Sequence, residues 1–299
     1  KTKLIWGNTL ASLRWEQVWP ESGWSMDSKV YYTNYTSDIV MDLSVLQSEV
    51  TEGVRQNVDL SLYERDFTRI HDIGAASDWL FDGLDHHHIR MGVQGVGHIY
   101  DPYRKMDMVL KVNSVKYDEA HGSSSLNYLG AEIAPYIEDE ISLGERLKVN
   151  LGLRDALFLV KGRAYNRLEP RLAIRLDAAP WVSLKASYAK MNQFSHLVSV
   201  CYIDLPTNLW MPSTSRVKPM SADQFVLGAL FTPSEKWNVD IEAFYKKMEH
   251  LYEYDGTNSM LPKLDKWELD YLEGRGRAYG AELSVEYIDT HFFGALYYT

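Results

Sequence analysis

Hydrophobic and polar residues alternate with a period of two along most of the chain, and helical spacing is almost absent. In the clearest stretch, 167–177, Leu168, Leu172 and Leu176 share one phase while charged residues dominate the other. Alternation of this kind predicts strands with one apolar and one polar face. It recurs at 147–154, 182–189 and 237–246.

The pattern predicts about twelve strands. Most are longer than the roughly 5 to 6 residues usual for a strand of a soluble protein, and a strand tilted near 45° needs about 9 to 11 residues to cross a bilayer. Strand length therefore favours an antiparallel transmembrane β-barrel over a sandwich. The predicted strands span 4–18, 24–42, 67–82, 87–101, 126–142, 146–161, 165–178, 181–199, 220–232, 236–254, 274–287 and 290–299.

Short turns and long loops alternate between these strands. Only the connection 161–164 breaks this order, by being short. Outer-membrane barrels sort their connections in this way, with short periplasmic turns at one end and longer extracellular loops at the other. The predicted short turns are 19–24, 82–86, 143–146, 178–181, 233–236 and 288–290, and the predicted long loops are 43–66, 102–125, 200–219 and 255–273.

Four tryptophans, Trp19, Trp24, Trp181 and Trp237, all lie at the short-turn end of the predicted strands. Aromatic residues form girdles where a barrel meets a membrane interface. Ordinary core tryptophans of a β protein are the alternative, and the recurrence at one end favours the girdle.

Composition narrows the class of protein further. The 299 residues carry a formal charge of −10, are 45% hydrophobic and include one cysteine, Cys201. The hydrophobic fraction is too high for a disordered chain, and a negative charge without a basic cluster argues against nucleic-acid binding. One cysteine forms neither an intrachain disulfide nor a cysteine-based zinc site, and no apolar run reaches the roughly 20 residues of a spanning helix. A large all-β body remains, either soluble or in an outer membrane.

The polar phase of the alternation is strongly ionic, and in a barrel this phase faces the lumen. Opposite charges on neighbouring strands pair across a sheet, and a wet or plug-filled lumen tolerates such ladders where an apolar core does not. The simplest interpretation is a set of structural salt bridges; the alternative is that some of these residues hold a movable plug or guide a solute. The residues predicted to face the lumen or plug are Lys148, Arg154, Glu169, Arg171, Arg175, Asp177, Lys185, Asp240, Glu242, Glu282 and Glu286.

Several stretches follow one another in a distinctive order. They are LIWGNTLASLRWEQVW, HHIRMGVQGVGHIYDP, YIEDEISLGERLKVNLGLRDALF, LEPRLAIRLDAAPWVSLKASYAKMNQFSHL, LWMPSTSRVKPMSADQFVLGALF and GRGRAYGAELSVEY. In this order they resemble the barrel of TonB-dependent outer-membrane receptors, particularly of the Bacteroidetes type. No single stretch is a strong motif; the ordered series, which covers essentially the whole chain, carries the resemblance.

The resemblance implies that 1–299 is a single partial barrel domain, with about twelve strands of a 22-stranded barrel. The plug domain, signal peptide, TonB box and terminal strands of such receptors are expected to lie outside it. The implied function is active import of a scarce nutrient (a siderophore, cobalamin, haem or a glycan) across the outer membrane of a Gram-negative bacterium. The implied partners are the inner-membrane TonB complex acting through the plug, outer-membrane lipid, and a small-molecule or oligosaccharide solute. A passive porin or structural barrel is the main alternative, and a soluble all-β carbohydrate-binding protein is a third.

Patterns that point to catalysis or metal binding are weak. The consecutive histidines His86, His87 and His88 point to opposite faces of a strand, so they do not converge on one metal. Asp240 and Glu242 resemble the carboxylate pair of a glycosidase, but charged neighbours surround them and no acid-tuning pocket is evident. The sequence therefore predicts no enzyme, no cofactor and no metal site.

In the resembled family, extracellular loops and the plug apex contact the solute. Rigid aromatic side chains give large contact area at little entropic cost, so the aromatic residues of the predicted loops are the candidates, with packing between loops as the alternative. They are Tyr202, Trp210, Tyr252, Tyr254, Trp267 and Tyr271.

Overall fold

The computed structural model describes residues 1–51, 54–198, 209–255 and 264–299. Within these ranges the regular structure consists of strands and two 3₁₀ turns, Pro20–Ser22 and Leu264–Leu269, and no helix is long and apolar enough to cross a membrane. The strands are β1 (Thr2–Trp19), β2 (Trp24–Thr51), β3 (Val54–Leu84), β4 (His87–Val112), β5 (Val115–Ser125), β6 (Tyr128–Leu143), β7 (Leu147–Val160), β8 (Arg163–Ala179), β9 (Val182–Gln193), β10 (Ser195–Val198), β11 (Leu209–Pro212), β12 (Met220–Ser234), β13 (Trp237–Tyr254), β14 (Tyr271–Ile288) and β15 (Phe293–Tyr298).

One antiparallel sheet contains all of these strands except β10 and β11, which pair with each other. Its main path is β1-β2-β3-β4-β6-β7-β8-β9-β12-β13-β14-β15, and β5 pairs with β4 beside this path. Over the described ranges, β1 and β15 are the two ends of the sheet, which forms a wall rather than a closed ring. The predicted all-β antiparallel architecture is confirmed, and the tight turns occur where the alternation placed them.

Two of the predicted long loops, 43–66 and 102–125, are wrong, because their described residues are strand apart from a turn at 113–114. β2 and β3 stay paired up to Thr51 and Val54, and β4 continues to Val112, turns, and returns as β5. β4 beyond Tyr100 adds about 40 Å of strand at roughly 3.3 Å per residue. We call this four-stranded part of the wall the strand extension (43–66 and 103–125).

The physical reason for the error is a change of phase in the polarity pattern. The face of β3 that carries Asp78, Asp72 and Asp66 continues with Leu62 and Leu60, so it turns from polar to apolar. An alternation followed in a fixed phase ends at this point, although the backbone continues as strand.

Large apolar side chains are exposed along one face of the sheet. Leu151 on β7 is 48% exposed, Leu168 on β8 is 55% exposed and Leu227 on β12 is 66% exposed. An apolar surface of this extent is unusual in contact with water. The predicted girdle tryptophans Trp19, Trp24, Trp181 and Trp237 lie beside the tight turns at one end of this wall.

The opposite face is concave. The Tyr100 hydroxyl on β4 lies 2.5 Å from the Ser195 hydroxyl at the start of β10, and the ring of Phe158 on β7 stacks on Phe194 with 4.9 Å between centroids. Strands that are distant from β9 along the sheet thus contact the segment that follows β9. The sheet therefore curves around this segment.

Candidate functional site

A row of directly opposed residues crosses six strands of the concave face, and its charge changes sign along the way. Cross-strand partners in an antiparallel sheet lie on the same face, so the register fixes the row. Cations occupy β7 to β9 and acids occupy β13 and β14. The row reads Lys148, Arg175, Lys185, Gly228, Glu242 and Glu282.

The other residues predicted to face the lumen or plug lie an even number of positions from members of this row on the same strands. Because side chains alternate between faces, all eleven predicted residues share the concave face; that this face lines a lumen stays a prediction. The predicted residues on this face that lie outside the row are Arg154, Glu169, Arg171, Asp177, Asp240 and Glu286.

Lys185 links the two signs of the row across the gap at Gly228. Its Nζ lies 3.0 Å from an Asp240 oxygen and 3.6 Å from a Glu242 oxygen. A Cβ at Gly228 would approach the Cγ of Glu242 to 3.1 Å, so the absent side chain leaves room for this reach. Since the three charged side chains are 30–39% exposed, solvent screens the pair strongly.

Arg154 is the centre of a better-buried network. Its two terminal nitrogens donate to Glu132 at 2.6 Å and to Glu169 at 2.9 Å. Glu169 is only 3% exposed and also accepts from the backbone N–H of Asn192 at 2.9 Å. Buried charges that are paired and hydrogen-bonded in this way fix local geometry.

Some charges of the concave face have no ionic partner within 4.0 Å among the described residues. Glu282 and Glu286 are two of them, although Glu286 accepts a hydrogen bond from the Tyr297 hydroxyl at 2.7 Å. Lys29, Arg90 and Arg171 are three more, and together they line a cleft of about 330 Å³, which we call the basic cleft.

Aromatic side chains lie over glycines on this face, a feature that the alternation did not signal. Phe158 on β7 covers Gly130 on β6, where a Cβ would meet the ring at 3.2 Å. Phe244 on β13 covers Gly280 on β14 in the same manner. Glycine in the polar phase of a strand is the signal that could have identified such pairs.

A second group of side chains packs where the loops after β9 and β13 meet the sheet. We call it the mouth cluster; its members are Val198, Leu209, Met211, Val217, Tyr254, Trp267 and Tyr271. Trp267 is 3% exposed and donates its indole N–H to the Tyr128 hydroxyl at 3.1 Å.

Three of the predicted solute-contact residues, Tyr254, Trp267 and Tyr271, are thus buried in loop packing. Tyr252 is half-buried and accepts a hydrogen bond from the Lys218 backbone, and Tyr202 lies outside the described residues. Contact of these five residues with a solute stays a prediction.

His196 lies buried beside the mouth cluster, with 2% exposure. Its Nε2 is 2.9 Å from the Ser213 hydroxyl, and its ring packs edge-on against Tyr252. Burial lowers the pKa of His196 to about 4, because the charged imidazolium loses its water.

A buried charged group lies at the base of the strand extension. Arg104 pairs with Glu64 and with Asp66, the latter at 3.2 Å. Asp66 is 2% exposed, and burial raises the pKa of its carboxyl to about 7, with Arg104 opposing the shift and Glu64 adding to it.

A cleft of about 480 Å³ separates the β10–β11 hairpin from β1 to β4, and we call it the mouth cleft. Asp72 forms its polar centre, accepting from the Thr33 hydroxyl at 3.3 Å and lying 2.7 Å from Nδ1 of His98. Trp210 and Ser195 line it from the hairpin. Of the predicted aromatic residues, Trp210 lines this cleft.

The consecutive histidines diverge as alternation requires. Nδ1 of His87 lies 2.7 Å from Asp139, and Nδ1 of His88 lies 2.7 Å from Asp82. Over the described part of the chain, no group of three or more His, Cys, Asp or Glu side chains is arranged to hold a metal ion.

A family model described as "TonB dependent receptor-like, beta-barrel" matches residues 3–299. No curated protein sequence matches the chain.

Solved structures share the fold at low sequence identity. FpvA of P. aeruginosa, bound to a heterologous pyoverdine with iron, superposes with a TM-score of 0.54 and 14% identity over 96% of this chain and 38% of FpvA. BauA, the ferric preacinetobactin receptor from Acinetobacter baumannii, gives a TM-score of 0.56 and 13% identity over 99% of this chain and 45% of BauA. The copper transporter OprC gives 0.54 and 12% over 99% and 53%. The chain therefore spans about half or less of each of these proteins.

Proposed function

Because the chain belongs to the TonB-dependent receptor β-barrel family, we propose that it forms part of the wall of an outer-membrane receptor that imports a scarce solute with energy delivered through TonB. Members of this family are outer-membrane barrels of Gram-negative bacteria and act as receptors and transporters rather than enzymes. We propose the same location, the outer membrane, for this chain.

The reversal of polarity between the two faces of one continuous sheet supports the proposal most directly. The convex face carries exposed leucines such as Leu168 and Leu227, which suit contact with lipid. The concave face carries the charge row and its ion pairs, which suit a water-filled or plug-filled interior. A soluble sandwich would bury the apolar face and expose the ionic one.

In the proposed mechanism, the solute binds at the mouth of the barrel, the plug rearranges, and the solute then passes along the ionic concave face. No bond is made or broken. The unpaired acids Glu282 and Glu286 are suited to contact cationic side chains of a plug, since each lacks a cation within 4.0 Å among the described residues. TonB supplies the work for the rearrangement.

Comparison of binding and uptake in cells with and without TonB tests this function. The full-length gene product is expressed in a Gram-negative host that lacks its own receptors, and radiolabelled candidate solutes are supplied. We expect cells to bind the solute in both backgrounds and to accumulate it only when TonB is present. Accumulation that is equal in both backgrounds would establish a passive porin instead.

A further inference from the structure

The mouth cleft has the size and position of a solute-binding site. Its volume of about 480 Å³ lies within the roughly 300–1,000 Å³ of small-molecule pockets. The curved wall of β1 to β4 forms one side of it, and the β10–β11 hairpin forms the other. The Tyr100–Ser195 hydrogen bond of 2.5 Å ties the hairpin to that wall.

The charge content of the cleft is unusually low for this face of the sheet. Among the described residues that line it, only Asp72 and His98 are ionisable side chains other than tyrosine, and they contact each other at 2.7 Å. No lysine or arginine belongs to that lining. An anionic ligand would therefore lose its hydration here without gaining a cation in return.

The basic cleft shows that the same concave face does carry cations where they are not paired. Lys29, Arg90 and Arg171 line it together with Asp78 and Glu138, and none of the three cations has an ion pair within 4.0 Å among the described residues. The mouth cleft thus differs from a neighbouring cleft of the same wall in charge, and not only in position.

Neutral hydrogen-bonding groups, aromatic rings and the apolar residues Leu10 and Ile70 line the rest of the mouth cleft. Asn8 supplies an amide and Thr33 a hydroxyl as donors and acceptors. Tyr35 and Trp210 supply aromatic rings on opposite sides, one from β2 and one from β11. Such rings pack against apolar C–H surfaces while their polar atoms remain available for hydrogen bonds.

From this inventory we infer that the mouth cleft binds an uncharged, hydrogen-bonding solute and discriminates against anions. The inference rests on the proposed import function and specifies its solute class. Two kinds of solute share this chemistry, a neutral oligosaccharide and an uncharged ferric trihydroxamate complex. Anionic ferric catecholates do not share it.

The test is a binding comparison on the purified full-length gene product in detergent, by isothermal titration calorimetry. The probes are neutral gluco-, manno- and xylo-hexasaccharides, a ferric trihydroxamate, and a triply anionic ferric tris-catecholate of similar size. We expect at least one uncharged probe to bind, and to bind at least tenfold more tightly than the tris-catecholate. Comparison of the oligosaccharide probes with the hydroxamate probe shows which of the two solute classes binds.

Variants then locate the binding. Trp210→Ala should weaken binding of the uncharged probe about tenfold or more. Trp210→Phe should retain most of the affinity because it keeps an aromatic ring. Asn8→Lys should strengthen binding of the tris-catecholate about tenfold, because it adds a cation to the cleft. Asn8→Gln, the matched control, should leave that affinity unchanged. Resistance of the folded barrel to SDS checks that each variant is folded.

The inference is overturned if the tris-catecholate binds wild type as tightly as the uncharged complex, or if no uncharged probe binds at millimolar concentration. It is also overturned if Trp210→Ala folds and leaves the affinity unchanged. TonB-dependent uptake of an anionic solute would contradict this inference and leave the proposed function standing. Selective binding of uncharged probes with TonB-independent uptake would contradict the function and leave the inference standing.

Discussion

The Tyr136 hydroxyl donates a 2.6 Å hydrogen bond to the Asp78 carboxylate, although a whole strand separates the two residues. Tyr136 belongs to β6 and Asp78 to β3, and the phenol ring passes over Gly92 of the intervening β4. A Cβ at Gly92 would meet an Asp78 oxygen and the Tyr136 ring at 2.8 Å. The absence of a side chain on β4 therefore allows three strands to be tied together.

Gly92→Ala is expected to destabilise the barrel by roughly 1–3 kcal/mol, since the methyl group displaces the phenol of Tyr136 and breaks its hydrogen bond to Asp78. Gly95→Ala is the matched control on the same strand, because a Cβ there would meet only a carbonyl oxygen at 4.0 Å. Urea unfolding in detergent micelles measures both. Equal losses in the two variants would contradict the role assigned to Gly92.

Lys185→Met is expected to cost less than about 1 kcal/mol, because Lys185 and its acidic partners are half-exposed and screened by water. A double-mutant cycle with Asp240→Asn should give a coupling of roughly 0.2–1 kcal/mol. The same unfolding assay supplies the values. A coupling above about 2 kcal/mol would mean that the concave face excludes water at this point.

The packing around His196 is expected to loosen as the pH falls. Its folded-state pKa of about 4 lies below the roughly 6.5 of a free histidine, so the unfolded segment binds more protons between these values. The stabilisation is complete above pH 6.5 and is lost as the pH falls towards 4, by on the order of 2–3 kcal/mol.

Hydrogen exchange of the backbone at 195–217, followed from pH 7 to pH 4, measures this loss. His196→Gln should remove the pH dependence, and His121→Gln, at an exposed histidine of the strand extension, should leave it in place. Exchange that does not change over this pH range in wild type would refute the prediction.

Asp66 is expected to give the opposite dependence on pH. Its folded-state pKa of about 7 is raised above the unfolded value, so the native state binds more protons between the two values. The stabilising contribution is present at low pH and is lost as the pH rises through 7.

Asp66→Asn should therefore be more stable than wild type at pH 8, by roughly 1–2 kcal/mol, and should show little gain at pH 4. Unfolding in urea at both pH values measures the difference. A variant that is less stable at pH 8 would show that the attraction between Arg104 and Asp66 outweighs the cost of burial.

The wall itself could be predicted from the sequence because successive side chains of a long strand alternate between an apolar and a polar face. The stretch around Leu168 and Leu172 predicts β8 to within two residues at its start. The strand extension could not be predicted in the same way, since the change of polarity at Leu62 reverses the meaning of each phase without breaking the strand. Whether a position is polar or apolar depends on whether its side chain faces lipid, water or a neighbouring loop. The backbone hydrogen bonds that make the strand form in either case.

The candidate site could be predicted only in part. Trp210 can be identified because it lies in a predicted loop. No local pattern identifies His98, Asp72 and Ser195 of the same cleft, because curvature of the sheet brings them together from distant parts of the sequence. Trp267 is a loop aromatic on the same grounds as Trp210 and is instead buried in the mouth cluster. Local composition identifies an aromatic residue in a loop, whereas burial depends on what packs over it.

Under the proposed function, the row from Lys148 to Glu282 has a consequence for a solute that moves along the concave face. Cations on one flank and acids on the other create an electric field component directed across the face, from β7–β9 towards β13–β14. The pairs of Lys148 with Glu140 and of Arg175 with Asp177 reduce this component. A field perpendicular to the direction of travel does no work on a neutral molecule as it descends. It exerts a torque on the molecule's dipole, so under the proposed function the wall would orient a polar solute and would leave its rate of descent to other forces.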